Sequence, residues 1–381
     1  MEYREIGGTG MKVSVVGLGA EYLDRKPYEV VEETVHEAIK QGVNIIDVFM
    51  PGREVRQNIG RAIAGNRKNL FLQGHVCTTD VGQQYDISRD LDTAKRYFED
   101  LLTYLDTDYI DFGMLSFIDT EKDYRDVFET GILRYALDLK RQGVIRVLGA
   151  SSHNPASAKL AVESGEIDLL MFSINPAFDM MPPGTVLDDM VGDEGIAGAC
   201  GSEPSRAALY QLCEQRGVSI TVMKALGAGK LLSEKHTPFE APLSVGQCIH
   251  YALTRPAVVS ALVGCKSAKE VQEAVAYLDL TEEQKDYSHI ISNAKRNFKG
   301  SCVYCNHCQP CPAELDIASV NRYLDVALLD KENIPPSIVQ HYTSLNAYAG
   351  DCTGCASCEQ RCPFDVPVVE RMQMAREVFG K

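Results

Sequence analysis

The chain has 381 residues, of which 38 are basic and 53 acidic, for a formal net charge of −15; its composition is globular, 45% hydrophobic and 24% charged. A balance this acidic disfavours nucleic acid and anionic membrane as partners, and no apolar run approaches the length that spans a bilayer. The opening Met1-Glu-Tyr-Arg-Glu-Ile-Gly-Gly8 holds no apolar signal-peptide core, so the thirteen cysteines read as metal ligands and buried thiols of a reducing cytoplasm, not as disulfides.

Taken in order, residues 3–13 form a hairpin pattern turning at Gly7-Gly-Thr-Gly10. From residue 15 to about 278, short β-branched runs alternate with longer amphipathic ones. The strands are expected at 15–17, 43–48, 70–76, 110–115, 144–150, 169–174, 220–224 and 258–263. Helices are expected at 28–41, 55–64, 91–105, 124–142, 156–164, 205–216, 245–254 and 268–278, with Gly42, Gly143, Gly165 and Gly217 where helices hand over to strands. Eight strands alternating with eight helices predict an α/β fold, a (β/α)8 barrel closed below by the hairpin. The domains expected are a barrel over 1–280, a charged helical connector over 281–299 and a small α-helical cysteine-rich domain over 300–381.

A barrel of this kind keeps its chemistry at the C-terminal strand ends. Asp47 ends the second strand, where a buried carboxylate is either paired structurally, with Arg53 or Arg56, or functional. His75 ends the third and could exchange protons with Asp47 as orienting partner. Tyr85 and Arg89 follow it in the chain as a phenol donor and an anion clamp. Ser116 follows the fourth strand, Ser151 and His153 the fifth, Asn175 the sixth, Lys224 the seventh, and Gly264, Lys266 and Ser267 the eighth. A long loop over 176–203, with five glycines, Pro182-Pro183 and apolar anchors, reads as a lid. Cys77, Cys200, Cys213, Cys248 and Cys265 read as small buried fillers.

The remaining cysteines fall in two runs, Cys302-x2-Cys305-x2-Cys308-x2-Cys311-Pro and Cys352-x2-Cys355-x2-Cys358-x3-Cys362-Pro. Three evenly spaced thiolates can hold three corners of a [4Fe–4S] cube, and the cysteine before proline reaches the other cube. The assignment is therefore crossed: Cys302, Cys305, Cys308 and Cys362 for one cluster, and Cys352, Cys355, Cys358 and Cys311 for the other. Zinc, the alternative, has no use for the third cysteine or the repeated Cys-Pro. The first run has two residues before its Cys-Pro where the usual pattern has three. Residues 317–329 between the runs read as an amphipathic helix, and Ile334-Pro-Pro-Ser337 as a break.

The opening Tyr3–Ser14 hairpin, Gly42-Val-Asn-Ile-Ile-Asp47, Gly143-Val-Ile-Arg-Val-Leu-Gly-Ala-Ser151 and Gly264-Cys-Lys-Ser267, in this order, resemble the aldo/keto reductase family. The whole chain is similar to its branch with a C-terminal ferredoxin-type domain holding two [4Fe–4S] clusters. The resemblance implies NADP(H), with the adenosine phosphate at Gly264–Ser267, and carbonyl reduction by a tyrosine acid assisted by lysine, aspartate and histidine. Of these four, Asp47 alone is kept. Residues 48–54 contain no tyrosine, the lysine position holds His75 and the histidine position Ser116. The nicotinamide contacts are changed as well, to Ser151-Ser152, Met171 and Met223.

The leading expectation is an iron–sulfur oxidoreductase that passes single electrons through two clusters to or from a small organic substrate at the barrel mouth. A flavin or NADP(H) could convert between one- and two-electron steps, and a ferredoxin, flavodoxin or other electron-transfer protein would be the redox partner. The alternatives are an NADP(H)-dependent aldo/keto reductase with a rearranged acid–base set, and a non-catalytic electron-transfer subunit.

Overall fold

The computed structural model describes residues 1–82, 84–180, 204–292, 300, 302–328, 331–332 and 334–381. Its strands are β1 (Tyr3–Glu5), β2 (Lys12–Ser14), β3 (Val16–Gly19), β4 (Ile45–Val48), β5 (Phe71–Val76), β6 (Thr78–Val81), β7 (Gln84–Ile87), β8 (Ile110–Leu115), β9 (Ile145–Ser152), β10 (Leu169–Ser173), β11 (Ser219–Met223) and β12 (Val258–Gly264). The barrel helices are α1 (Tyr28–Lys40), α2 (Arg53–Ile63), α3 (Leu91–Leu105), α4 (Glu121–Phe128), α5 (Gly131–Arg141), α6 (Pro155–Glu163), α7 (Pro204–Arg216), α8 (Val245–Leu253) and α9 (Ala268–Val275). Beyond them lie α10 (Glu282–Lys285), α11 (Ser288–Ser292), α12 (Ile317–Ala327), α13 (Pro336–Thr343), α14 (Ser357–Arg361) and α15 (Val368–Phe379).

Strands β3, β4, β5, β8, β9, β10, β11 and β12 pair in parallel and close into a barrel. Alternation along each strand sorts the side chains into two cores. Ile45, Phe112, Met114, Val147, Leu169, Met171 and Leu262 fill the interior, where Ile6 and Val13 of the β1–β2 hairpin join them from below. Ile46, Val48, Leu72, Leu148 and Val222 face outward onto the helices. Glycine sets one of these contacts. A Cβ on Gly149 would lie 2.7 Å from Met114 Sδ inside the barrel.

Several sequence expectations need correction. One helix was expected at 124–142, but α4 and α5 are separate because Thr130 accepts from Ile132 N–H and caps a new start. The segment after β5 is a second hairpin, β6–β7, where only a loop was expected. Ile334-Pro-Pro-Ser337 does not simply break the chain: Pro336 opens α13, at a position where a missing N–H costs nothing. The lid expected after the sixth barrel strand falls, from residue 181 to 203, outside the described residues, as does Cys200. So does 293–299 of the connector, whose described part is α10 and α11.

The C-terminal part packs α12 against α15 and against α7 of the barrel. A buried polar seam joins the two. Tyr287 donates to the Val303 carbonyl at 2.8 Å, and Arg255 donates to the same carbonyl and, at 3.1 Å, to the Tyr287 oxygen. Tyr304 lies against the Arg255 guanidinium. Burial pushes the Tyr287 phenol up, so it stays a donor. Among the described residues, no helix is long and apolar enough to cross a membrane.

Candidate active site and cysteine cavities

Register brings the chemistry together at the C-terminal end of the barrel. Asp47 pairs across the sheet with Gln73, and His75 with Met114. Gln73 and His75 are two residues apart on β5, so both face the interior. Asp47 Oδ1 accepts from Gln73 Nε2 and contacts His75 Nε2, each at 2.8 Å. Gln73 is fixed in turn by Thr221, which donates to its carbonyl oxygen at 3.1 Å. His75 Nδ1 faces Ser116 Oγ at 3.2 Å, and Thr78 Oγ1 lies 3.2 Å from the same oxygen. Asp47 does not pair with Arg56, which is buried against the carbonyls of Met50 and Tyr97.

Both ring nitrogens of His75 are therefore engaged inside the wall. Asp47 Oδ2 makes no hydrogen bond among the described residues, and Asp47 lines the cleft. His75 lines the cleft beside it, so both members of the expected pair reach the cleft, the carboxylate with one oxygen unengaged among the described residues. Sequence reasoning passed over Gln73, although its place two residues before His75 was the available signal.

The cleft has a volume of about 260 Å³. Phe49, Tyr85 and Phe117 form its aromatic wall; the Tyr85 ring stands 4.9 Å from Phe49. The β6–β7 hairpin carries Tyr85 there. Arg89 does not line the cleft; it donates to the carbonyls of Ser116 and Phe117 and pairs with Asp123. His153 lines the cleft with its ring held by Asp119, 2.9 Å from Nδ1. Burial works to raise the Asp119 carboxyl, but the His153 ring and backbone N–H, with Ser152, hold it below the usual range. Helix α6 is capped by Asn154, not by His153.

Of the expected cofactor residues, Ser151, Lys224, Gly264 and Lys266 line the cleft. Lys224 Nζ is 3.3 Å from Glu21 Oε2, and Lys266 Nζ lies over the Tyr22 ring. Gly264 sits under that ring: a Cβ there would fall 2.6 Å from Tyr22. Asn175 is fully buried, with its amide bonded to the Lys224 carbonyl and the Phe178 N–H. Ser267 caps α9 through Glu270 N–H. Ser116 is fully buried behind His75. These three act on the frame of the cleft, not on its surface. Glu21, Tyr22 and Phe49 also line it and were missed by the sequence reading.

The cysteine runs fold into two small cavities. One is lined by Cys302, Cys305, Cys308 and Cys362, the other by Cys311, Cys352, Cys355 and Cys358. In each, one cysteine comes from the opposite run. The apolar rest of the two linings includes Ile317, Phe364, Val366 and Val368. The four barrel cysteines in the described residues are buried, and burial pushes the Cys77 thiol up to about 11 and Cys265 to about 12.

The family model of the aldo/keto reductase family matches residues 15–247. The uncharacterized oxidoreductase YqkF of Bacillus subtilis (strain 168) is 27% identical over 306 residues, covering 74% of this chain and 94% of that protein. L-galactose dehydrogenase of Arabidopsis thaliana is 25% identical over 309 residues, covering 72% and 88%. The holo form of aldo-keto reductase AKR11C1 from Bacillus halodurans shares the fold at a TM-score of 0.60 and 23% identity, covering 77% of this chain and 97% of that one. A match over more than half its length places the barrel and its cleft: the chain belongs to the aldo/keto reductase family and is an oxidoreductase.

Proposed function

We propose that the chain interconverts a small carbonyl compound and its alcohol at the barrel mouth, using NADP(H) and an Asp47–His75 pair in place of the family's tyrosine. The observation that carries this is the 2.8 Å contact of His75 Nε2 with an Asp47 carboxylate whose other oxygen is left to the cleft. Reduction adds a hydride to the carbonyl carbon and leaves an alkoxide that needs one proton. Asp47 carrying a proton on Oδ2 would give it to the alkoxide oxygen, and the carboxylate left behind is held at Oδ1 by His75 Nε2–H and Gln73 Nε2–H. In alcohol oxidation Asp47 takes the proton instead. Gln73 and Ser116 keep the two groups in register throughout, and the wall of Phe49, Tyr85 and Phe117 excludes water from the reacting atoms.

The lining of the cleft supports the dinucleotide part of this reading. Asp47, Met171, Met223, Ala228, Gly229 and Lys266 all line it. Gly227, Ala228 and Gly229 take left-handed backbone there, presenting successive peptide groups. Lys224 and Lys266 would face the phosphates and Ser151 the amide end, and the bound nucleotide would supply the hydride. Titrating protein with NADPH and following its fluorescence tests this, with Asp47→Asn as a variant that should bind but not turn over. Absence of binding would sink the nucleotide part of the reading.

A second reading rests on the two cavities of four cysteines each. The donor sets fit two [4Fe–4S] clusters, which would supply single electrons to the chain. The C-terminal part is then a ferredoxin-type domain, and a ferredoxin, flavodoxin or similar protein is its redox partner. A visible spectrum of anaerobically isolated protein reports the clusters and, at the same time, any bound flavin.

A further inference from the structure

The seam between the barrel and the first cysteine run holds side chains that neither the cleft nor the cluster ligands use. Asp286, His289 and His307 each bring one ligand atom to within 4.8 Å of the others. Asp286 follows α10, and its Oδ1 accepts the Ser288 N–H at 2.8 Å. Its Oδ2 is in hydrogen-bond contact with His307 Nδ1. The His289 and His307 rings meet edge-on at 88°, with centroids 4.4 Å apart. The Asp286 and His307 side chains are 15% and 23% exposed and His289 is exposed, so solvent reaches the trio.

Two imidazoles with one carboxylate are a donor set suited to zinc and its neighbours; calcium and magnesium prefer oxygen throughout. We infer that Asp286, His289 and His307 bind one divalent transition-metal ion of the zinc class, with water completing the shell. Asp286 and His289 are three residues apart in the connector, at the start of α11. His307 comes from the other side of the seam, between Cys305 and Cys308. The bond from Ser288 N–H orients the Asp286 carboxylate as outer-shell bonds do at metal sites. The ion would fasten the loop of the first cysteine run to the barrel-side connector. The inference does not rest on what the cysteine cavities hold.

The test uses the full chain, purified anaerobically with its iron loaded, then equilibrated with zinc sulfate and desalted. Zinc is counted by mass spectrometry and its ligands are read by X-ray absorption at the zinc edge. The expected result is about one zinc per chain with nitrogen and oxygen neighbours and no sulfur. His289→Ala, at an exposed position, and Asp286→Asn should each weaken zinc retention at least about tenfold, the effect typical of losing a ligand or its orienting partner. Circular dichroism and melting temperature serve as the folding controls in both. No zinc on the iron-loaded protein, a zinc shell containing sulfur, or equal retention by wild type and both variants would each overturn the site.

Discussion

His75 lies 2.8 Å from Asp47 at the ends of β5 and β4; both line the cleft, and both ring nitrogens of His75 are already engaged, by Asp47 and Ser116. In the proposed mechanism the engaged ring orients the carboxylate, and Asp47 handles the proton through its unengaged Oδ2. The two should fail differently. Asp47→Asn removes the group that meets substrate oxygen and should lower kcat by roughly 10²–10⁴-fold with little change in KM. His75→Gln keeps one donor toward Asp47 and should cost less in kcat while altering the pH–rate profile. Equal and complete loss in both, or wild-type rates in both, would reject this division.

Gln73 provides a quieter test. It donates to Asp47 and accepts from Thr221 inside the barrel. Gln73→Leu leaves both partners buried and short of a bond, which costs about 1–3 kcal/mol for each group left unsatisfied. The expected outcome is a lower melting temperature and a kcat reduced without loss of nucleotide binding.

The crossed cysteine cavities predict a specific pattern of iron loss. Anaerobic wild-type protein should carry about eight iron atoms per chain. Cys362→Ala should disturb the cluster otherwise held by Cys302, Cys305 and Cys308, and Cys311→Ala the cluster held by Cys352, Cys355 and Cys358. Electron paramagnetic resonance of the reduced variants distinguishes the two clusters. If Cys362→Ala removes the signal tied to Cys352, Cys355 and Cys358, the cavities have been misread.

The seam at Val303 should bind the two halves into one cooperative unit. Tyr287→Phe removes the donor to the Val303 carbonyl but leaves Arg255 in contact with it, a change of about 1 kcal/mol. Arg255→Leu removes the charged donor as well as the contacts with Tyr287 and Tyr304 and should cost more. Scanning calorimetry of the second variant should separate barrel and C-terminal transitions that overlap in wild type.

His250 gives a pH dependence with a defined sign. Burial is the main cause that brings its pKa from 6.5 down to about 4 in the folded chain. The unfolded chain then binds a proton before the folded one does, so this contribution to stability is intact above pH 6.5 and is lost as pH falls toward about 4. His250→Asn, which cannot take the proton, should flatten the decline in melting temperature over that window. An unchanged slope would show that other groups govern it.

The barrel was legible because its strands and helices repeat with periods that local sequence reveals, and Asp47 and His75 stood where strand ends must put them. The two cysteine runs were equally plain, since the spacing of cysteines is a local property. What α4 and α5 do at Thr130, and how β6 and β7 fold back, depended on a cap and a turn that the hydrophobic pattern does not record. The tertiary structure alone decided which groups reach the cleft. It turned Ser116, Asn175 and Ser267 into parts of the frame, brought Tyr85 to the wall and closed both His75 nitrogens with Asp47 and Ser116. Those outcomes follow from cross-strand register and burial, which join residues tens of positions apart, and no window of neighbouring residues contains them.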